Sequence, residues 1–419
     1  MQLQDVRCFL LDMDGTFYLG GQIIPGSLEF IEKVVSSGRD FMFLTNNSSH
    51  NANFYVQKLA QMLTWAKQKN EPVLLHVLTE KGRGYPFAQQ EPERFHGTPP
   101  FDAATGKPLR EPSRSFSDAF GEELLALAKQ DERICAITAA MTSGTGLSAF
   151  AKELPSRFFD VGIAEGHAVA MAGGMAKQGL IPVFAVYSSF LQRGFDMLIH
   201  DISLDRLHAV FCVDRAGLVG ADGQTHHGCF DIGFLSAIPD MTVLCPASFS
   251  ELRSMLRYAI YNTAGPVAVR YPRGGEQAYT ACSDPVCFLQ LRDGTDFTII
   301  SYGILINEAL RAAELLAEKG ISARVIKLNR ISPLREDEVA QMLDGAKRLL
   351  VLEDCIAAGC VGEKIACLAA QTGSTPDKLL LKNCGARLPN EGSVEQLYHA
   401  LGLDAASVAA SIEEVLHEQ

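Results

Sequence analysis

The sequence predicts an α/β protein: two successive parallel-sheet domains preceded by an incomplete Rossmann-like fragment. Short β-branched apolar runs alternate with segments of helical period along most of its 419 residues. Polar stretches near 86–113 and 283–296 divide that alternation into blocks. No internal repeat or low-complexity tract interrupts it.

Residues 1–62 make the first block. A buried strand is expected over 8–11, then an acidic glycine turn, Asp12-Met13-Asp14-Gly15-Thr16, and a helix near 27–37. A second strand over 41–44 runs into a polar tip at 45–49. Residues 63–113 change register: a helix and a strand lead into a loop rich in Pro, Gly and Gln that contains "RFHGTPPFD". The second α/β block covers 114–285, with strands expected at 134–137, 158–161, 182–186, 209–213, 242–245 and 267–270. The third covers 292–419, with strands at 297–301, 323–328, 348–352 and 378–381 and a helix over 306–319.

Composition narrows the partners. Hydrophobic content of 47% and charged content of 21% suit a globular enzyme. A formal net charge of −12 repels nucleic acid and anionic membrane. No apolar run is long enough to span a bilayer and no secretory leader is legible, so the expected location is cytoplasmic. The 11 cysteines are scattered and include no C-x-x-C pair, which argues buried reduced thiols and no zinc site.

Four segments of the second block carry chemistry. In "FFDVGIAEGHAVAMAGGMAKQG" a strand delivers Asp160 and Glu165 opens a small-residue helix, a carboxylate in an apolar setting suited to proton exchange. "VYSSFLQRGFD" begins at a strand's C-terminal end, where open parallel sheets hold ligands. It offers Tyr187, Phe190 and Arg193 as an aromatic wall with a cation. "VDRAGLVGADGQTHHG" places Arg215, Asp222, His226 and His227 on a glycine-rich loop. "VRYPRGG" ends a strand with Arg270 and Arg273, guanidinium forks of the kind that hold phosphate. The constellation reads as a cleft for a small phosphorylated substrate.

In this order and spacing, these segments, with "ITAAM…SGTGL", resemble the 1-deoxy-D-xylulose-5-phosphate synthases, a transketolase-like family dependent on thiamine diphosphate. The resemblance runs from about residue 63 to the end, about 85% of the chain. It implies a pyrimidine-binding domain at 114–285 and a transketolase-type C-terminal domain, a packing and dimerisation module, at 292–419. It also implies the reaction: pyruvate joined to glyceraldehyde 3-phosphate with loss of CO2, the opening step of the non-mevalonate isoprenoid pathway. By that resemblance Glu165 and Phe190 contact the cofactor's pyrimidine, and Tyr85 also touches the cofactor. Arg215 and Arg273 hold the aldehyde's phosphate, with Tyr187, Asp222 and His226 around its polar groups. His96 and His226 are the implied proton-transfer residues beside Glu165.

The sequence departs from the family at Gly166 and His227, where Gln is usual. A larger departure is that no Gly-Asp-Gly occurs anywhere, so the family's Mg²⁺ and diphosphate ligands are missing and no metal site is expected. The chain is therefore expected to be inactive alone, as a homodimer or as the pyrimidine-domain subunit of a split enzyme with a separate diphosphate-binding chain. "LLDMDGTFYLGG" and "FLTNNSS" instead resemble a haloacid-dehalogenase-type sugar-phosphate phosphatase. That implies a nucleophile at Asp12, a general acid at Asp14 and a phosphate contact at Thr45. The fragment lacks the downstream Lys and acidic pair of that family and is expected to be inert.

Overall fold

The computed structural model describes residues 8–12, 18–19, 22–23, 26–37, 40–44, 52–70, 72–75, 82–92, 94–95, 98, 100–109, 113–283, 285 and 287–417. It divides into two compact units, Met1–Glu111 and Pro112–Gln419.

In the first unit, strand Cys8–Asp12 is central to a three-stranded parallel sheet. Strand Asp40–Leu44 pairs on one side and Val73–Leu75 on the other. A single helix, Ala52–Gln68, crosses position 62 without a break. Further on, Tyr85 packs against Phe87, Phe95 and Phe101 at ring-centroid distances of 5.4 to 5.8 Å. Its hydroxyl donates to the Ala103 carbonyl at 2.9 Å.

The second unit holds two sheets. The first has six parallel strands in the spatial order Thr242–Leu244, Val267–Arg270, Val210–Asp214, Ile181–Tyr187, Ile134–Thr138, Phe158–Asp160. Its four central members are buried at every position, as expected of strands covered on both faces by helices. Helices Phe116–Gln130 and Phe249–Tyr261 begin on Ser115 and Ser248, whose hydroxyls accept the backbone N–H of Asp118 and Glu251. Both pack their apolar faces onto the core around Phe120, Leu252 and Tyr271.

The second sheet runs Phe288–Arg292, Ala323–Leu328, Phe297–Tyr302, Arg348–Leu352, Lys378–Lys382, parallel except for its first strand. Each predicted strand of these two blocks is found, to within a residue at its ends. Two strands escaped sequence reading. Phe288–Arg292 pairs antiparallel at one edge, and Arg330–Ser332 crosses back to pair with Thr242–Leu244 of the first sheet. Arg330–Ser332 is too short to show a period, and the antiparallel pairing of both strands is set by tertiary contact.

Two buried ion clusters join the sheets. Arg270 donates to Asp231 at 2.8 Å and to Asp354 at 2.9 Å, and all three are at most 4% exposed. Lys327 meets Glu251 at 2.9 Å with both side chains fully buried. Among the described residues no helix is long and apolar enough to cross a membrane.

Candidate active site

The site forms where the parallel strands of the first sheet end. Strand Phe158–Asp160 stops at Asp160, whose carboxylate accepts the N–H of Ala140 and Gly162 and the hydroxyl of Thr142, at 2.8 to 3.0 Å. That staples the turn from which helix Glu165–Lys177 starts. The helix's small residues permit close approach to the following segment. A Cβ on Gly166 would meet the Met197 side chain at 2.7 Å, and one on Gly173 would meet the Asp201 carbonyl at 2.6 Å. The Gly166 departure thus coincides with a tight contact.

Glu165 is 2% exposed. Its setting is not purely apolar, because Arg193 Nη1 donates to its Oε1 at 2.6 Å. The same guanidinium lies over the Phe190 ring at 5.2 Å. Phe190 is also 5.6 Å from the Tyr187 ring and 5.2 Å, edge-on, from His226. Burial raises the Tyr187 hydroxyl above its ordinary range and lowers the His226 imidazole. The Tyr187 hydroxyl occupies the space that a side chain at Gly144 would take, 2.0 Å from the position of a Cβ there. This gives "SGTGL" a steric role.

Beyond Tyr187 the cations gather. Arg215 stacks its guanidinium on the Tyr187 ring at 3.9 Å and pairs with Asp222. Arg273 reaches the other Asp222 oxygen at 3.4 Å and donates to the Val219 carbonyl at 3.1 Å. Arg215 has φ +58°, a left-handed conformation that costs an L-residue about 1 kcal/mol. The surroundings hold it there: Ala216 N–H donates to Tyr271, and Gly217 and Gly228 exchange backbone hydrogen bonds of 2.9 and 2.7 Å. At Gly217, φ +74°, a Cβ would collide with the Asp354 carboxylate at 1.9 Å, so only glycine fits.

The structure thus brings Glu165, Tyr187, Phe190, Arg215, Asp222, His226 and Arg273 into one contiguous cluster. Tyr85 lies in the first unit within its aromatic group. His96, Asp14 and Thr45 lie outside the described residues, and Asp12 ends the central strand of the first unit. Arg270, read from sequence as a possible phosphate fork, is instead consumed by Asp231 and Asp354 in the core.

Sequence reasoning missed three contributors. Arg193 was noticed only as a cation in the wall, not as the partner of Glu165. Asp214 ends strand Val210–Asp214 fully buried, accepting from Ser117 at 2.6 Å, and burial raises it to about 6. Its Oδ1 has no hydrogen-bond partner among the described residues. The acid directly before Arg215 at a strand's end was the available signal. The third contributor is the C-terminal domain. His227, 2% exposed, accepts the Val219 N–H at 3.2 Å and meets the Asn390 carbonyl at 3.1 Å, pinning the Arg215–Gly228 loop from both sides. No local signal in the sequence links position 227 to 390.

A buried carboxylate beside a half-buried aromatic ring fits the aminopyrimidine half of a thiamine cofactor. Among the described residues no cluster of three or more His, Cys, Asp or Glu side chains is placed to hold a metal ion.

The fold of the second unit is of the transketolase type. Residues 113–276 match the transketolase pyrimidine-binding domain and residues 288–408 the transketolase C-terminal domain, so the second unit belongs to that family. Within it the chain is a homologue of the 1-deoxy-D-xylulose-5-phosphate synthases. It is 40% identical over 396 residues to that of Clostridium kluyveri, covering 92% of this chain and 62% of the relative. It is 40% identical over 402 residues to that of Caldanaerobacter subterraneus, covering 93% and 61%. The chain therefore spans about six-tenths of the length of these relatives, and the similarity reaches beyond the 85% of the chain that the motifs cover. Residues 9–76 match the haloacid dehalogenase-like hydrolases. A solved split-gene transketolase, described as an inactive β4 tetramer, superposes with a TM-score of 0.64 at 26% identity, over 72% of this chain and 98% of that one. A transketolase from Pichia stipitis shares the fold at TM-score 0.60 and 16% identity, over 93% of this chain and 55% of that one.

Proposed function

We propose that this chain supplies the pyrimidine and substrate half of a 1-deoxy-D-xylulose-5-phosphate synthase-type site, joining pyruvate to glyceraldehyde 3-phosphate with release of CO2. The observation that carries the reading is the continuous run from buried Glu165, through Phe190 and Tyr187, to the paired guanidiniums of Arg215 and Arg273. One end is acidic and shielded from water; the other is cationic. Their separation suits a reaction in which proton movement and phosphate anchoring occur at opposite ends of one cleft.

Thiamine diphosphate, when bound, supplies the electron sink for decarboxylation. This chain's residues act on the cofactor's pyrimidine and on the substrate. Glu165 holds and moves a proton at the pyrimidine nitrogen, and its pairing with Arg193 sets the carboxylate's orientation. Phe190 packs on the ring. Arg215 and Arg273 take the phosphate, and His226, kept neutral by burial, offers a donor or acceptor to the substrate's oxygens.

The Mg²⁺ and diphosphate ligands come from a partner chain in this proposal, within a cytoplasmic, dimer-based assembly. The likeness to a split-gene transketolase over 98% of that chain favours the split arrangement. The test is CO2 release by the purified chain with pyruvate, glyceraldehyde 3-phosphate, thiamine diphosphate and Mg²⁺, alone and with a separately produced diphosphate-binding half of the Clostridium kluyveri relative. Negligible turnover alone, restoration by that half, and a loss of at least about a hundredfold on Glu165→Ala are expected. Full turnover by the chain alone would overturn the split reading, and restored turnover untouched by Glu165→Ala would overturn the site.

A further inference from the structure

We infer that Asp222 makes the anion site selective for a doubly charged phosphoryl group over a singly charged carboxylate. This rests on the reading of Arg215 and Arg273 as the phosphate-holding pair.

Both Asp222 oxygens are engaged. Arg215 Nη1 pairs with Oδ2, and Arg273 Nη2 stands 3.4 Å from Oδ1. The carboxylate therefore occupies the space between two guanidiniums that a ligand anion would claim. Two cations face one anion, so the site keeps a surplus positive charge.

A ligand entering here competes with Asp222. A carboxylate ligand exchanges one carboxylate for another: it gains no charge interaction and loses its free translation. A phosphoryl dianion brings a second negative charge and a third oxygen, which two guanidinium forks satisfy together. Discrimination thus comes from an internal competitor of the same chemistry as the ligand to be refused.

Local structure decides which group yields. The cations are anchored, Arg215 by its stack on Tyr187 at 3.9 Å and Arg273 by the Val219 carbonyl at 3.1 Å. Asp222 rides a single 3₁₀ turn, Gly220–Asp222, flanked by Gly223 at φ +75°, and its side chain is 23% exposed. Rotation of that side chain toward water opens the space between the guanidiniums without moving either of them.

The test is calorimetric titration of the full chain at pH 8 with inorganic phosphate and, separately, acetate. It compares wild type with Asp222→Asn, Asp222→Ser and Arg273→Ala, each checked for a native thermal transition. Wild type is expected to bind phosphate and refuse acetate. Either Asp222 variant should acquire acetate binding and gain less for phosphate than for acetate, so that the phosphate-to-acetate ratio falls at least about tenfold, the worth of one charge-assisted contact. Arg273→Ala should weaken phosphate at least about tenfold. An unchanged ratio in both Asp222 variants, with phosphate still dependent on Arg273, overturns the role of Asp222 while leaving the arginine site standing. Phosphate binding that is absent, or indifferent to Arg273→Ala, overturns the arginine site itself and the inference with it.

Discussion

Arg270 and Arg273 leave the same strand three residues apart, and they live in opposite electrostatic worlds. Around Arg270 one guanidinium serves two carboxylates, Asp231 and Asp354, all buried. Around Arg273 two guanidiniums share one carboxylate, Asp222, at a half-open rim. The first cluster has an excess of negative charge and every guanidinium edge occupied. The second has an excess of positive charge and an anion that can move. Residue type does not distinguish a structural arginine from a binding one here; the ratio of cations to anions and the access of water do.

The largest effect should come from breaking the closed cluster. Arg270→Ala leaves two buried carboxylates without their cation and is expected to cost about 3–5 kcal/mol. Arg273→Ala, at a partly exposed pair, should cost less than about 1 kcal/mol. Urea denaturation of the two variants measures the contrast, and equal losses would contradict it. Burial already holds the Asp231 carboxyl above its ordinary range, even with the Arg270 guanidinium beside it.

Asp214 sharpens the comparison, being a buried acid beneath the open cluster. Burial lifts it from 3.8 to about 6, so it holds its proton more tightly folded than unfolded. Its contribution to stability is therefore full below about pH 4 and is lost as pH rises through about 6. Asp214→Asn removes that loss. At pH 7.5 the variant should be more stable than wild type by up to about 3 kcal/mol, and near pH 4 the two should coincide. A stability difference independent of pH would assign Asp214 a purely steric role.

A smaller effect is expected at the wall between the two ends of the site. Gly144→Ala forces the Tyr187 hydroxyl aside and should destabilise by about 1–3 kcal/mol. It should also weaken phosphate binding, because Arg215 loses the ring on which it lies. Thermal melts and phosphate titration read the two consequences separately, and unchanged phosphate affinity would show that Arg215 does not depend on that stack.

Much of this was legible in the linear sequence. Strands such as 210–214 and 267–270 announce themselves as short apolar β-branched runs, because a strand buried on both faces needs apolar residues throughout. Glu165, Arg215 and Arg273 were legible because each follows a strand end, where a parallel sheet delivers its ligands. Arg270 also sits at a strand end, and there the same rule pointed to the wrong role, since nothing local reveals Asp354, 84 positions away.

The sequence by itself therefore determined the α/β architecture, the strand ends and the chemical groups that follow them. Those follow from hydrophobic period and local turn chemistry, which act over a few residues. The tertiary structure decided which carboxylate faces which cation. It set Arg193 on Glu165, Asp222 between two arginines and Asn390 behind His227. Charge pairing depends on distance and burial, and both are properties of the folded chain.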